Sequence, residues 1–336
     1  MKGVSIIICC YNSATRLPQT LQHIAAQKVP AGISWELLIV NNNSADDTVA
    51  VSNAFFAAHP EVRGCVLHEQ VAGLSYARQK GFDHARYDYI VLCDDDNWLC
   101  PEYVHLSYRI MESDEQIASL GGWGKPVFET AAPRWFQHYA DYYATGPQHY
   151  QSGDITHTRS FVYGAGAVFR RSVLLYLKER GFKNLLTDRK GTSLVTGGDN
   201  ELGYALVLAG YKIWYDERLL FQHFIPAGRV SFSYFLRLVK YNAYSKFLLL
   251  PYDDLIHSTK RAKYKYSFAW TFLSLFFLFV KDDLLRIPQQ LLNNTFFKFK
   301  VSVAGRLGML KALLEHTGYH YRTLNELRNA SWHTYR

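Results

Sequence analysis

The sequence predicts an α/β fold built on a mostly parallel sheet flanked by helices, with a basic helical extension at the C-terminal end. Four short apolar runs, at 4–10, 35–40, 64–68 and 88–93, alternate with stretches of helical periodicity. Continuous apolar strands of this kind are buried on both faces, as in parallel sheets covered by helices. A composition of 49% hydrophobic and 20% charged residues excludes a disordered or fibrous chain.

The first two strands are each followed by a helix signal. Leu17, Leu21 and Ile24 recur at helical spacing after the first strand. After the second strand, Ser44 and Asp47 fit the start of a helix, because their side chains can accept early backbone N–H groups. The alternation of strand and helix therefore holds from the first residues onward.

The chain from 101 to 163 is less regular and dense in aromatic residues, which predicts loops over a site. The elements expected after it are, in order, a Gly-rich turn at 163–166, a helix near 171–180, a Gly-Gly turn that opens another helix at 197–202, and a strand near 212–215.

Charge divides the chain into two parts. Residues 1–228 contain 20 basic and 23 acidic side chains, whereas residues 229–336 contain 17 and 6, so the differences are −3 and +11. A neutral-to-acidic first part followed by a basic, aromatic-rich tail is typical of a soluble domain that docks on an anionic surface, such as a membrane. The alternative partner of the basic tail is nucleic acid, whose binding would depend strongly on salt concentration.

The extension contains the most apolar run of the chain, Tyr266 to Val280. A spanning helix needs about 20 residues, so we expect this run to lie on a membrane, with the basic residues at 260–265 against anionic lipid. The alternative is a helix that packs on the first domain. Five cysteines without paired spacing, and no signal-peptide pattern, predict a cytoplasmic protein on the inner face of the cell membrane.

Three polar clusters follow predicted strands, at the edge where open α/β sheets bind ligands. They are Tyr11-Asn12-Ser13, Asn41-Asn42-Asn43-Ser44 and Asp94-Asp95-Asp96-Asn97. Three adjacent carboxylates repel one another, and a divalent cation with oxygen ligands would remove that repulsion. The alternative is a solvated acidic turn.

Two further segments are candidates for chemistry. Asp199 and Glu201 lie near the first turn of the helix after Gly197 and Gly198, as a general base or as helix caps. His223 is either a metal ligand or a hydrogen-bonded histidine at a strand end. The motifs GxGxxG, GxxxxGK[ST] and GxSxG are missing from the places that would indicate dinucleotide, P-loop or hydrolase chemistry.

Residues 3 to about 240 resemble the family 2 glycosyltransferases of the GT-A fold. The matching segments, in family order, are 4–12, 41–44, the Gly…Ala-Arg helix 72–81, the DxD element 94–96, the acceptor-side segment 163–171, and 198–202, which is similar to Glu-Asp-x-Glu-Leu. Asn41 stands where the family commonly has an Asp that reads uracil. Gly198 stands where the family often has Glu, which leaves Asp199 as the base.

The resemblance implies an inverting, metal-dependent transferase of the bacterial surface-polysaccharide type. It would move a sugar from a nucleotide-sugar, by expectation a UDP-sugar, to a hydroxyl of a glycan or lipid-linked glycan, with Mg²⁺ or Mn²⁺ as the cofactor. The catalytic domain would be 1–228, with a nucleotide-binding half 1–100 and an acceptor half 101–228, and the membrane-associating extension would be 229–336.

The resemblance also assigns roles to residues. Asp199 would be the catalytic base, and Asp96, Asp94 and His223 would hold the metal. Glu201 would support the base or contact the acceptor. The residues expected to bind the nucleotide-sugar are Tyr11, Asn12, Asn41, Asn43, Arg78, Asp94, Asp95, Gly164, Gly166 and Glu201.

Two other functions are weighed against the transferase. A sugar nucleotidyltransferase would share the α/β domain and the carboxylate-bound magnesium. It usually has a Gly-rich loop with Arg or Lys after its first strand, which 10–14 does not provide. The other is a non-catalytic binding protein. As a nucleotide-sugar binding module it would be expected to lose Asp96 and Asp199, and both are present. As a nucleic-acid binder it would use the basic tail, and strongly salt-dependent binding to DNA without sugar transfer would favour it.

Overall fold

The computed structural model describes residues 1–186, 197–257 and 296–334, together with Leu273, Ser274, Phe277 and Lys281. The basic cluster 260–265 and nearly all of the apolar run 266–280 lie outside the described residues. Their expected membrane contact therefore stays a prediction.

The described residues contain one nine-stranded mixed sheet with the order β3-β2-β1-β4-β8-β6-β9-β5, and β7 pairs with β9. The strands are β1 (Val4–Cys10), β2 (Trp35–Asn41), β3 (Gly64–His68), β4 (Tyr89–Asp94), β5 (Asn97–Leu99), β6 (Ile117–Phe128), β7 (Gly153–Asp154), β8 (Val168–Arg170) and β9 (Lys212–Ile225).

Helices cover both faces of this sheet. The described helices are α1 (Leu17–Ala25), α2 (Thr48–Ala58), α3 (Leu74–His84), α4 (Tyr103–Ser113), α5 (Arg171–Glu179), α6 (Gly198–Leu208), α7 (Phe232–Ile256), α8 (Phe296–Glu315) and α9 (Tyr319–Arg328), with 3₁₀ turns at Phe136–Tyr143 and Ala227–Val230.

The four predicted strands form the parallel half of the sheet. β1 runs parallel to β2 on one side and to β4 on the other. Ile6, Ile7 and Ile8 have no solvent exposure, because successive side chains point to opposite faces and both faces are covered. In register, Cys10 pairs with Asn41, and Cys9 pairs with Asp94. The strand ends that carry the polar clusters therefore meet at one edge.

The prediction of loops throughout 101–163 is wrong for its first part, which forms α4 and β6. The strand signal of β6 is diluted by Gly121, Gly122, Gly124 and Pro126. At Gly122 a Cβ would overlap the backbone oxygen of Leu219, so the glycine permits β9 to approach closely. The predicted strand at 212–215 is the first part of the much longer β9.

The described part of the C-terminal extension packs against the first domain. Phe247 of α7, Leu313 of α8 and Leu327 of α9 belong to the same core cluster as Leu206 of α6. Ser231 caps α7 by accepting the N–H of Tyr234 at 3.3 Å. No helix among the described residues is both long and apolar enough to cross a bilayer.

Candidate active site

A cavity of about 1280 Å³ opens at the edge where β1 and β4 end. Its floor contains the acidic triad Asp94–Asp96, one wall contains Arg78, Gly164 and Asp199, and the outer wall comes from α7 and α8. The cavity therefore brings together side chains from segments that are far apart in the sequence.

Asp95 faces the protein more than the cavity. Its carboxylate accepts hydrogen bonds from Arg16 Nη2 at 2.7 Å and from the Ser13 hydroxyl, and its backbone oxygen accepts one from Thr20 Oγ1 at 2.8 Å. Ser13 and Thr20 are fully buried. Asp95 thus ties the end of β4 to the loop after β1 and to α1, and it brings the Arg16 guanidinium to the cavity.

Asp96 is buried between two basic side chains. Arg229 Nη1 lies 2.9 Å from Asp96 Oδ2, and His223 Nε2 lies 3.6 Å from Oδ1. Burial alone would raise the pKa of Asp96, but the His223 ring and the Arg229 guanidinium outweigh it and lower the pKa below its usual range. Asp96 is therefore ionised at neutral pH.

Asp94 and Asp95 differ from Asp96 in charge state. Burial raises the pKa of both carboxyls, and the negative charge of Asp96 raises it further. For Asp94, Arg78 and His223 oppose this rise. Three consecutive aspartates thus do not act as one charge cluster, and Asp96 is the most anionic of them.

The orientation of His223 favours a ligand at its second nitrogen. Nδ1 lies 2.7 Å from the Tyr143 carbonyl oxygen, which can only accept, so Nδ1 carries a proton. In the neutral ring Nε2 then offers a lone pair toward Asp96, as in metal-ligating histidines whose other nitrogen is fixed by a carbonyl. In the doubly protonated ring Nε2 instead donates toward Asp96.

The described residues do not by themselves enclose a metal. Within the described ranges, no group of three or more His, Cys, Asp or Glu side chains could hold one. Asp96 and His223 supply an oxygen and a nitrogen that suit Mn²⁺ or Mg²⁺, and Asp94 lines the same cavity. Because Mg²⁺ is usually held by one or two carboxylates plus substrate phosphates, these donors fit a cation whose coordination a bound diphosphate completes.

Asp199 lies in the first turn of α6 and is held by Arg78 of α3. Arg78 Nη1 is 2.5 Å from Asp199 Oδ1, and the Asp199 side chain remains about a quarter exposed. Gly164 lies directly against this carboxylate, where a Cβ would overlap it. Glycine at position 164 therefore leaves the space that the Asp199 carboxylate occupies.

Glu201 lies outside the cavity, although it is only two residues beyond Asp199. Its fully buried carboxylate accepts the N–H groups of Leu185 at 2.9 Å and Leu186 at 3.0 Å, and the Tyr252 hydroxyl at 2.9 Å. These bonds join α6 to the preceding segment and to α7. At this position the Glu201 carboxylate contacts protein groups and does not line the cavity. Its predicted roles, contact with the substrate or support of the base, stay predictions.

The asparagine loop after β2 lies beside the cavity. Asn41 Oδ1 accepts the N–H of Ser44 at 3.2 Å. Asn42, rather than Asn41, lines the cavity, and its side chain bonds the backbone of the segment that leads into α3. Asn43 has a left-handed backbone, with φ of 59°. The side-chain amides of Asn41 and Asn42 therefore hold this loop in place.

The other predicted nucleotide-sugar residues divide between the cavity and its support. Tyr11 lines the cavity and is 59% exposed. Asn12 accepts the N–H of Ala45 at 2.9 Å and so holds the asparagine loop. Gly166 (φ 72°) packs beneath the site, and its oxygen accepts the Tyr103 hydroxyl at 2.5 Å.

Sequence reasoning missed several residues at the cavity. Arg16 and Arg229 lie in no recognised motif. The signal that could have indicated them is the acidic triad itself, because buried carboxylates require positively charged side chains nearby. The cavity face of α7 and α8 was missed because the extension was expected to serve the membrane. No local pattern marks it, since a helix face is assigned to a cavity only by long-range packing.

Comparison with known proteins shows which family this geometry belongs to. The family model described as Glycosyl transferase family 2 matches residues 5–177, about half of the chain. Glucosyl-dolichyl phosphate glucuronosyltransferase of Haloferax volcanii is 23% identical over 248 residues, which are 72% of this chain and 76% of that protein. The putative glycosyltransferase EpsH of Bacillus subtilis is 30% identical over 107 residues, which are 32% of this chain and 30% of EpsH.

Solved structures agree on the fold. The mannosyltransferase PcManGT from Pyrobaculum calidifontis, solved with GDP-Man and Mn²⁺, has a TM-score of 0.60 at 15% identity, covering 93% of this chain and 87% of that one. Residues 1–349 of TarS from S. aureus have a TM-score of 0.51, also at 15% identity, covering 98% and 91%. The predicted GT-A fold is confirmed, and the chain belongs to glycosyl transferase family 2.

Proposed function

We propose that the protein transfers a sugar from a nucleotide-sugar to a hydroxyl of a glycan or lipid-linked glycan, with inversion at the anomeric carbon. The observation that carries the proposal is the cavity that joins the acidic triad to Asp199. One part of it offers Asp96 with His223, Arg16 and Arg229, which suits a diphosphate and a cation. Asp199, the group proposed to accept a proton, lines the wall of the same cavity.

The leaving group is a nucleoside diphosphate whose negative charge must be neutralised as the bond to the sugar breaks. A divalent cation, Mg²⁺ or Mn²⁺, would be held by Asp96 with Asp94 and His223, and it would supply that neutralisation when bound. Arg16 and Arg229 are partly buried and already held beside the triad by ion pairs, so they need little reorganisation to stabilise a phosphate oxygen.

Asp199 is proposed as the general base. As the acceptor oxygen bonds to the anomeric carbon, its proton passes to the Asp199 carboxylate, and the bond between the anomeric carbon and the diphosphate oxygen breaks. The ion pair with Arg78 orients the carboxylate before the acceptor arrives, which lowers the entropic cost of alignment. Arg78 acts here as a positioning residue, in addition to the donor contact predicted for it.

The donor is proposed to be a UDP-sugar, read by the loop that carries Asn41. An amide oxygen can accept from uracil N3–H as a carboxylate would, but the amide nitrogen can also donate to another base. PcManGT, of similar fold, was solved with GDP-Man. A donor panel must therefore contain GDP-sugars as well as UDP-sugars.

Removing the Asp96 carboxylate is expected to abolish metal-dependent donor binding. In a thermal-shift panel of UDP- and GDP-sugars with Mn²⁺, wild type should be stabilised by one donor, and EDTA should remove most of the shift. Asp96→Ala should show no metal-dependent shift, because the cation loses its most anionic ligand. Asp88→Ala, which removes an exposed carboxylate at the start of β4, is the matched control. The same donor shift in EDTA would contradict metal dependence.

The acceptor and the location are proposed from charge and from relatives. The Haloferax volcanii relative is named a glucosyl-dolichyl phosphate glucuronosyltransferase. A relative from Shewanella sediminis, 33% identical over 120 residues that are 35% of each chain, is named an undecaprenyl-phosphate 4-deoxy-4-formamido-L-arabinose transferase. Together with the +11 excess at 229–336, this supports peripheral attachment to the anionic inner face of a membrane.

Membrane attachment predicts that the protein sediments with vesicles that contain phosphatidylglycerol. It should not sediment with neutral phosphatidylcholine vesicles, and about 0.5 M salt should release it, because screening shortens the Debye length to a few ångströms. Equal sedimentation with both vesicle types would contradict attachment of the basic extension to anionic lipid.

A further inference from the structure

α8 presents three different sides to its surroundings. One side packs against α7, where a Cβ on Gly308 would overlap the backbone oxygen of Lys240, and where the fully buried Ala312 shares a core cluster with Phe247. A second side lines the cavity with Val301, Ser302, Gly305, Arg306 and Met309. The third side lies away from both, so its residues are available to a partner outside the described part of the chain.

The third side carries a row of apolar residues, here called the outer stripe. Its members are Val303, Leu307, Leu310 and Leu314, whose spacing of four, three and four residues places them on one side of a helix. Leu307 is 48% exposed, Leu314 is 58% exposed, and the other two are partly exposed. A contiguous exposed apolar row, unlike scattered single residues, indicates a surface that binds a partner.

Basic residues border the outer stripe on both sides. By helical spacing Arg306 lies between the stripe and the cavity, and Lys300 and Lys311 lie along the opposite border. The Lys300 ammonium is 5.8 Å from the Phe232 ring centroid, and the Lys311 side chain stays 41% exposed although it pairs with Glu315 at 3.8 Å. Basic side chains beside an apolar row place their carbons along that row and their charges at the level of lipid headgroups.

The chemistry of the outer stripe fits lipid better than it fits protein or nucleic acid. Protein interfaces draw most of their binding energy from Trp, Tyr and Arg, whereas Leu and Val are under-represented among the energetic residues and Lys is depleted. Nucleic acid is bound through phosphate contacts and aromatic stacking, for which aliphatic side chains offer nothing. Acyl chains beneath anionic headgroups match both the aliphatic row and its basic border, and residues 229–336 as a whole contain 17 basic and 6 acidic side chains.

We propose that α8 lies in the interface of an anionic membrane, with the outer stripe among the acyl chains and its basic border at the lipid phosphates. Because Arg306 belongs both to this border and to the cavity lining, the membrane surface then adjoins the outer wall of the cavity. An acceptor carried by a lipid reaches the cavity along α8 without leaving the membrane. This last step rests on the proposed function, whereas the docking of α8 does not.

The outer stripe adds to the electrostatic attraction and does not replace it. A single myristoyl chain, with far more apolar surface than two half-exposed leucines, gives only marginal membrane binding. The stripe alone therefore does not hold the protein on neutral vesicles, and salt still releases the protein from anionic ones. Each leucine instead strengthens binding once the charges have brought α8 to the surface.

The docking is tested with the full chain by sedimentation with vesicles of phosphatidylcholine and phosphatidylglycerol at low salt, over a series of lipid concentrations. Leu307→Gln and Leu314→Gln should each lower the partition coefficient about 10-fold, because each removes apolar area from the acyl region. Glutamine has about the helix propensity of leucine, so the thermal midpoint of the free protein should be unchanged. Leu314→Trp should bind at least as well as wild type, because tryptophan favours the membrane interface.

The matched control is Tyr150→Gln, which removes an 83% exposed apolar side chain outside the extension and should leave the partition coefficient unchanged. Unchanged partition in both leucine variants would overturn the docking of α8. If those variants instead lowered the thermal midpoint, the outer stripe would be covered by another segment of the same chain. If they dissociated a wild-type dimer in solution, the stripe would belong to a second copy. Binding to duplex DNA but to no vesicle would assign the basic border to nucleic acid.

The position of the cavity at the membrane is tested by release of nucleoside diphosphate from the donor that the thermal-shift panel identifies. The acceptor probes are dodecyl phosphate and the dodecyl glycosides of glucose, N-acetylglucosamine and mannose, each embedded in the mixed vesicles. At least one probe should raise the release by wild type, and the double variant Leu307→Gln/Leu314→Gln should lose that increase at limiting lipid. Its release without acceptor should equal that of wild type, since neither leucine lines the cavity.

Two outcomes would contradict the placement of the cavity. One is a wild type that hydrolyses the donor but responds to no embedded probe. The other is a double variant that keeps the full response to a probe. Failure of wild type to bind any donor, with vesicle binding still lost in the leucine variants, would instead count against the proposed function alone, so the two failures are distinguishable.

Discussion

Asp199→Asn is expected to lower sugar transfer by about 10³-fold while donor binding is retained. General-base catalysis by a positioned side chain contributes about 10²- to 10⁴-fold, and an amide cannot take up the acceptor proton. The substitution keeps the shape of the side chain, and the amide oxygen can still accept from Arg78, which lies 2.5 Å from the carboxylate. The loss should therefore fall on turnover rather than on the arrangement of the site.

The measurement is the initial rate of transfer alongside calorimetric titration with the donor and Mn²⁺. Asp83→Asn is the control, because it makes the same chemical change at an exposed carboxylate of α3. Asp83 pairs with Lys178 and does not line the cavity. The control variant should transfer at the wild-type rate. If Asp199→Asn retained more than about a tenth of the wild-type rate, another group would have to be the base.

The parallel half of the fold could be predicted because its signals are local. The first four strands are short, largely apolar runs between turn residues, and the two-sided burial of residues such as Ile7 in β1 requires such a run. The convergence of Asn41 and Asp94 on one edge followed from topology alone, since parallel strands place their carboxyl ends together. No tertiary information was needed for that step.

The remainder of the site depends on contacts between distant segments. Asp96 pairs with Arg229, 133 residues later, and Asp199 pairs with Arg78, 121 residues earlier. Neither pair has a sequence spacing that would indicate it. Glu201 shows the same difficulty, because its place in the motif suggested a ligand contact, whereas its hydrogen bonds to Tyr252 and to backbone N–H groups hold α6 in position.

Gly164→Ala is expected to reduce transfer by about 10²-fold or more without unfolding the protein. A Cβ at this position would overlap the Asp199 carboxylate. The overlapped group is the end of a side chain rather than backbone, so the least costly adjustment is rotation of that carboxylate away from Arg78. A displacement of about 1 Å at a reacting group can cost about 10²-fold in rate, and the glycine therefore serves the position of the base.

The combination of measurements distinguishes this role from general destabilisation. The thermal midpoint of Gly164→Ala should stay close to that of wild type, because the strands beneath the glycine are unaffected, while the transfer rate falls. Gly228→Ala is the matched control, since a Cβ there would meet nothing within 4 Å, and its rate should be normal. Wild-type transfer by Gly164→Ala would mean that the carboxylate tolerates displacement. The proposed proton transfer to Asp199 could then not depend on the geometry that Arg78 and Gly164 impose.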